Sequence, residues 1–226
     1  DAHYYLFPLP EITDFPHLIA DHPDLVGLNV TIPYKVDVIP YLDGLSEEAE
    51  GIGAVNVIKI DRSKGEPILI GHNSDAYGFT ESLKDVMTSG GRTLPAEGES
   101  CPALVLGTGG ASKAVVWSLR RLGFSPQYVG RKHREDCLSY DELTREIVER
   151  AGVIVNATPL GMTPDVDSAP PFPYGYLDGS QTCFDLVYNP EDTLFMQLCR
   201  KQGCLVSNGL EMLRLQAEGA WKIWNG

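Results

Sequence analysis

Val105-Leu106-Gly107-Thr108-Gly109-Gly110-Ala111-Ser112 is the stretch that decides the fold. The residues before it, 103–106, are apolar, and residues 110–122 after it have helical periodicity, so the glycines fall where a strand turns into a helix. Glycines at such a turn let backbone N–H groups approach a pyrophosphate, and the helix N-terminus adds positive partial charge. Ser112 replaces the third glycine of the usual fingerprint and is small enough for close helix packing. A purely structural tight turn would use the same glycines. The complete strand–helix–strand unit around them favours a dinucleotide, with Gly107, Gly109, Gly110 and Ala111 as candidate cofactor contacts.

Outward from this turn the pattern alternates. Strands are expected over 103–106, 126–129, 153–156, 182–186 and 204–206, with helices over 110–122, 140–150 and 192–201. Such alternation implies right-handed crossovers and a parallel, doubly wound sheet. An NAD-binding chain usually ends its second strand in Asp or Glu, for the ribose 2′-hydroxyl. This chain reads Val129-Gly130-Arg131-Lys132-His133-Arg134. Arg131, Lys132 and Arg134 suit the 2′-phosphate of NADP(H), with Arg131 placed to stack on adenine or grip phosphate oxygens; the alternative is a solvated basic loop.

The first half is less regular. Strands are expected over 3–6, 27–32, 54–60 and 67–70, and helices over 12–21, 33–42, 46–50 and 75–87, with a turn at 61–65 joining two adjacent strands of a mixed sheet. Residues 88–102 shift to Gly, Ser, Pro and Glu without apolar periodicity, as a surface connection would. The expected class is therefore α/β in two domains. A substrate domain of mixed α/β type covers 1–87 and is completed by the C-terminal helix 209–226; a Rossmann-type NADP-binding domain covers 102–208.

Within the first half, Asn29-Val30-Thr31-Ile32-Pro33-Tyr34-Lys35 ends an extended, β-branched run at a proline suited to the first position of a helix. A lysine at a strand-to-helix junction faces a ligand crevice in many α/β proteins, where desolvation lowers its pKa toward values useful for proton transfer. From this segment alone, a solvated lysine on a surface helix is the commoner outcome.

Composition narrows the function classes. With 18 basic and 31 acidic residues the net charge is −13, which argues against non-specific binding to nucleic acid or anionic membranes. No apolar run approaches bilayer length, and no signal-like segment opens the sequence, so a cytoplasmic protein is expected. Five cysteines without Cys-x-x-Cys spacing indicate reduced thiols, and His3, His17, His22, His72 and His133 show no ligand spacing, so no metal is assigned. Asp1 is not an initiator methionine and is soon followed by the apolar run Tyr4-Tyr5-Leu6-Phe7-Pro8, from which a preceding segment is expected.

Six motifs then occur in order: the Asn29–Lys35 segment, Ile52-Gly53-Ala54-Val55-Asn56, Gly71-His72-Asn73-Ser74-Asp75, Gly107-Thr108-Gly109-Gly110-Ala111, Asn156-Ala157-Thr158-Pro159-Leu160-Gly161-Met162, and Asn208-Gly209 through Gln216-Ala217. Together, over essentially the whole chain, they resemble the shikimate dehydrogenase family. The resemblance implies reversible NADPH-dependent reduction of 3-dehydroshikimate to shikimate on the route to chorismate and the aromatic amino acids. It implies Lys35 and Asp75 as the catalytic pair. Thr31, Asn56, Asp75, Gln216 and Tyr188 become substrate contacts, Tyr188 on the nicotinamide side. Asn156 and Thr158 join the cofactor contacts, with Gly209 as the hinge before the returning C-terminal helix.

Each residue also has a plainer role: Asp75 could cap its helix, Asn56 could satisfy backbone groups, Gln216 could sit on an exposed face, and Tyr188 could cap a core. Two departures stand out. The family's Asn-Thr-Asp is Asn73-Ser74-Asp75 here, and its Asn-Arg-Thr is Gly130-Arg131-Lys132. Family members also carry a Ser-x-Ser-type loop for the substrate carboxylate, expected ahead of Asp1. A small-molecule substrate is the expected partner, with no nucleic acid and no membrane, for a monomer or homodimer. An NAD-linked quinate/shikimate dehydrogenase and a non-catalytic sensor of shikimate-type ligands are the alternatives.

Overall fold

A computed structural model describes residues 3–63 and 65–226. Asp1, Ala2 and Lys64, the last in the expected 61–65 turn, lie outside the described residues. The chain divides into two units, Asp1–Asn73 with Ala220–Gly226, and Ser74–Gly219.

The first unit holds α1 (Phe15–Asp21), β1 (Gly27–Asn29), β2 (Gly44–Leu45), α2 (Glu47–Ile52), β3 (Val57–Asp61) and β4 (Ile68–His72). Its sheet runs β1-β3-β4-β2; β3 is antiparallel to both neighbours, and β2 lies parallel to β4, so the sheet is mixed as expected. Phe15 and Ile19 of α1, Ala49 of α2, Val38, Val55, and Ile58, Ile60 and Leu69 of the strands form its core. Ser46 caps α2 by accepting from Ala49 N at 3.2 Å. Gly27 must be glycine: the Trp224 indole occupies the place of a Cβ and donates from Nε1 to Ile58 O at 3.1 Å.

Two expectations fail here. Residues 3–6 form no strand; Tyr4 and Leu6 are exposed, without the ladder that defines a strand. The expected helix over 33–42 is a series of turns ending in a single 3-10 turn, Ile39–Tyr41. Its amides close mostly short bonds, Tyr34 N to Thr31 O, Ile39 N to Val36 O and Leu42 N to Ile39 O, with one α-type bond, Val38 N to Tyr34 O at 3.0 Å. Pro40 has no N–H to return to Val36, so an α-helix has no continuous ladder between the two prolines.

The second unit begins with α3 (Asp75–Ser89), followed by β5 (Cys101–Leu106), α4 (Gly110–Arg121), β6 (Phe124–Gly130), β7 (Cys137–Ser139), α5 (Arg145–Arg150), β8 (Val153–Asn156), β9 (Thr182–Asp185), α6 (Leu194–Lys201) and β10 (Leu205–Ser207). α7 (Leu210–Asn225) closes the chain. The six strands are all parallel, in the order β10-β9-β8-β5-β6-β7. The irregular stretch 90–100 joins α3 to β5.

Both faces of this sheet are buried, and alternation along each strand assigns the layers. Ala103, Val105, Val153, Val155 and Phe184 point to one face, with Phe79 and Leu83 of α3, Val115 and Leu119 of α4 and Met212 of α7. Leu104, Leu106, Ile154 and Cys183 point to the other, with Val148 of α5 and Phe195, Met196 and Cys199 of α6. Phe79 meets Phe184 edge to face at 5.2 Å between ring centroids, and each such fully buried aromatic contributes about 1.5–3 kcal/mol by burial. The expected helix over 140–150 splits, because Ser139 starts one 3-10 turn in a capping box with Glu142 and Thr144 then caps α5. Strand β7, three residues long, is too short to show a period in sequence.

Candidate functional site

The strand order reverses beside β5, whose neighbours are β6 on one side and β8 on the other. The crevice at this switch point, at the carboxyl ends of the strands, is where open parallel sheets bind ligands. Gly107 leaves β5 with φ +107°, donates to Val129 O at 2.8 Å, and lies so close to β8 that a Cβ would stand 3.0 Å from Ala157 O. Only glycine meets both demands. Gly109 is the N-cap of α4 with no side-chain cap, and a Cβ there would meet nothing within 4 Å. Gly110 and Ala111 open the helix, leaving the unpaired amides of its first turn toward that space. Ser112 is buried and donates from Oγ to Gly109 O at 2.6 Å, so the hydroxyl braces the turn that a glycine would merely allow. This cradle fits a dinucleotide pyrophosphate.

At the end of β6, Arg131, Lys132, His133 and Arg134 are all exposed. His133 Nδ1 lies 3.0 Å from Glu142 and Arg134 Nε lies 3.7 Å from Asp136. Arg131 and Lys132 make no ion pair among the described residues, leaving their charge available to an anion.

Beyond β8 and β9 lies a buried polar cluster of which the sequence showed only part. Asn156 donates from Nδ2 to Asp185 Oδ1 at 2.9 Å, while its Oδ1 accepts from Thr158 N at 3.0 Å and Thr158 Oγ1 at 2.7 Å. Asp185 also accepts from Val187 N at 2.9 Å and Thr193 Oγ1 at 2.6 Å. Burial pushes the Asp185 carboxyl up to about 6, against the pull of these three donors. Sequence reasoning misses Asp185 and Thr193; the signal available is a carboxylate at a strand end followed, eight residues on, by a helix-capping threonine. Tyr188 projects beyond this cluster and is 44% exposed. Gly209 N donates to Val187 O at 3.2 Å, and a Cβ at Gly209 would lie 2.3 Å from Leu186 O, so close approach dictates the glycine.

In the first unit, backbone bonds gather three of the expected residues. Val30 N donates to Asn56 O at 2.8 Å, fixing Thr31 beside it, and Val55 N donates to Lys35 O at 2.7 Å. Asn56 N in turn reaches His72 O at 3.1 Å, and Asn73 donates from Nδ2 to Ala54 O at 2.9 Å. Asn56 is buried, Lys35 half-buried and Thr31 exposed. Lys35 therefore stands on a tight turn rather than a helix, its main chain tied to the strand entry that carries Asn56. Asp75, 6% exposed, is the first residue of α3 after its N-cap Ser74. Gly78, one turn later, admits the backbone of α7 so closely that a Cβ would stand 2.6 Å from Met212 O and 3.1 Å from Gln216 N. Asp75 and Gln216 thus lie on facing helices within the second unit.

Comparison with known proteins identifies relatives of this chain. Residues 1–58 match the family model of the shikimate dehydrogenase substrate binding domain. The chain is 35% identical over 224 residues to the shikimate dehydrogenase (NADP(+)) of Desulforamulus reducens, covering 90% of this chain and 72% of that relative. Among solved structures it is similar to a shikimate dehydrogenase in complex with NADP+, with TM-score 0.82, 29% identity and coverage of 97% of this chain and 77% of the other. The shikimate 5-dehydrogenase of Thermus thermophilus in complex with NADP(H) and shikimate superposes with TM-score 0.76 at 31% identity, covering 93% of this chain and 77% of that one.

Proposed function

The chain belongs to the shikimate dehydrogenase family, and from that premise we propose that it interconverts 3-dehydroshikimate and shikimate, as an NADP-dependent oxidoreductase of aromatic biosynthesis. The observation that carries this reading is the Gly107–Ala111 cradle at the switch point, followed on the next strand by the exposed Arg131 and Lys132 where an NAD-binding chain would place an acid. NADPH, when bound, supplies the hydride. Gly107, Gly109, Gly110 and Ala111 hold its pyrophosphate, Arg131, Lys132 and Arg134 its 2′-phosphate, and Asn156, Thr158 and Gly209 shape the remainder of its cleft.

As the substrate carbonyl is reduced its oxygen gains negative charge and must receive a proton. Lys35 is the donor: as an ammonium it offers both the field and the proton, and the Val55 bond holds its turn in place. Asp75, Thr31 and Asn56 accept or donate hydrogen bonds to the ring hydroxyls, with Gln216 and Tyr188 as further substrate contacts. By function, residues 1–87 with 209–226 form the substrate domain and 102–208 the NADP domain. No helix of the described residues is long and apolar enough to cross a membrane. The enzyme works in the cytoplasm as a monomer or homodimer on a small-molecule substrate.

The test is coenzyme reduction by the complete protein with shikimate. NADPH formation with NADP+ supports the reading. Efficient turnover with NAD+ instead points to an NAD-linked quinate/shikimate dehydrogenase, and binding of shikimate without turnover to a sensor.

A further inference from the structure

Asp185 is a buried charge that the proposed chemistry does not use. An apolar side chain would fill its place without the cost of burying an ionisable group, so its retention calls for a reason in what it holds. Everything that reaches it donates: Asn156 Nδ2 and Val187 N to Oδ1, both at 2.9 Å, and Thr193 Oγ1 to Oδ2 at 2.6 Å. Three donors are best answered by the ionised carboxylate, whose two oxygens offer only acceptors. The bond to Nδ2 has a second effect, because it fixes which way the Asn156 amide faces. The amide oxygen is left to Thr158 N and Thr158 Oγ1, and Thr158 Oγ1 then accepts from Leu160 N at 3.3 Å. The segment from Ala157 to Gly161 is thereby shaped from Asp185, and Ala157 O is the atom closest to a Cβ at Gly107. On the other side Val187, held by Asp185, presents its carbonyl to Gly209 N and leads directly to Tyr188.

We propose that Asp185 is a positioning residue for NADP(H): without touching the cofactor, it sets through Asn156 and Val187 the two successive loops on one side of the glycine turn, after β8 and after β9. The inference rests on the cofactor assignment above. Burial raises the Asp185 carboxyl, and the donors from Thr193, Val187 and Asn156 oppose that rise.

The test compares contacts to the two carboxylate oxygens. Asp185→Leu removes all of them, whereas Thr193→Val removes only the Oδ2 partner and the cap of α6. The expected result for Asp185→Leu is NADP+ affinity lowered about tenfold or more by calorimetry and a matching rise in KM for NADP+, the cost of leaving buried donors unpaired, with a smaller rise in KM for shikimate through Val187 and Tyr188. Thr193→Val should melt at a lower temperature yet bind NADP+ like the unmodified protein. If Asp185→Leu does not fold, Asn156→Asp reads the same contact by setting two carboxylates face to face. It should weaken NADP+ binding similarly, and adding Asp185→Asn should restore most of the loss. Normal NADP+ affinity in both Asp185→Leu and Asn156→Asp overturns the proposal, as does an equal loss in Thr193→Val. Absence of shikimate turnover in the unmodified protein would overturn the function while leaving this affinity comparison intact; absence of NADP+ binding would overturn both.

Discussion

The parallel sheet of the second unit and the mixed sheet of the first are built under different constraints. In the former, β5, β8 and β9 are covered on both faces, every second residue belongs to one layer, and Gly107 and Gly209 are dictated by backbone contact at 3.0 Å or less. In the latter the strands run from two to five residues, and the segment bearing Lys35 is held by turns. The proposed function divides its work along the same line. Coenzyme binding is assigned to main-chain geometry at strand ends and spread over several side chains, no one of which abolishes it. Proton transfer is assigned to one side chain on a turn, where a single substitution removes it.

That contrast can be broken most sharply at Lys35. Lys35→Ala should lower kcat by roughly two to four orders of magnitude, the usual range for a positioned acid–base group, with NADP+ affinity by calorimetry within about twofold. Near-normal turnover would remove the proposed donor and with it the assigned division of labour.

A glycine substitution tests the other side. Gly209→Ala puts a Cβ 2.3 Å from Leu186 O, a backbone atom that cannot swing aside, and should destabilise the protein by about 3 kcal/mol, lowering the melting temperature by roughly 6–12 °C. A melting curve that superposes on the unmodified protein's would contradict this packing.

Asp185 gives a pH signature. Its carboxyl ionises at about 6 when folded, against 3.8 as the ordinary value. Between those values the folded protein binds the extra proton, so this group's contribution to stability falls as pH rises through the window. The stability of the protein relative to Asp185→Asn, from urea unfolding, should therefore be greater at pH 4 than at pH 7 by about 2–3 kcal/mol. A pH-independent difference would mean that the carboxyl is not burdened by burial. Tyr174 is another titratable group that feels its charge, and it stays protonated throughout.

The smallest effect is expected at the exposed cations. Arg131→Ala with Lys132→Ala should raise KM for NADP+ about tenfold while leaving KM for NAD+ unchanged, since only the former carries the 2′-phosphate. Equal effects on both coenzymes would move the phosphate contacts elsewhere.

How much of this was legible follows the same division. The glycine turn and the alternation of 103–206 were readable because each imposes a residue type: glycine for close approach and apolar runs for two-faced burial. The first half resisted because Pro33 and Pro40 bracket a segment whose periodicity looks helical but whose amides cannot sustain the ladder. Tyr4 and Tyr5 have strand-like character, yet a strand is defined by a partner that composition does not show. Asp185 was hidden for another reason. An acidic residue at a strand end looks solvent-facing until its three donors are seen to converge, and they come from residues 29 positions before to 8 positions after it.

The most direct measurement is the steady-state rate of coenzyme reduction by the complete protein with shikimate, NADP+ against NAD+. NADPH formation is expected, with kcat/KM at least about tenfold higher for NADP+ than for NAD+, as the proposed 2′-phosphate contacts require. Preference for NAD+, or no turnover with either coenzyme, would contradict it.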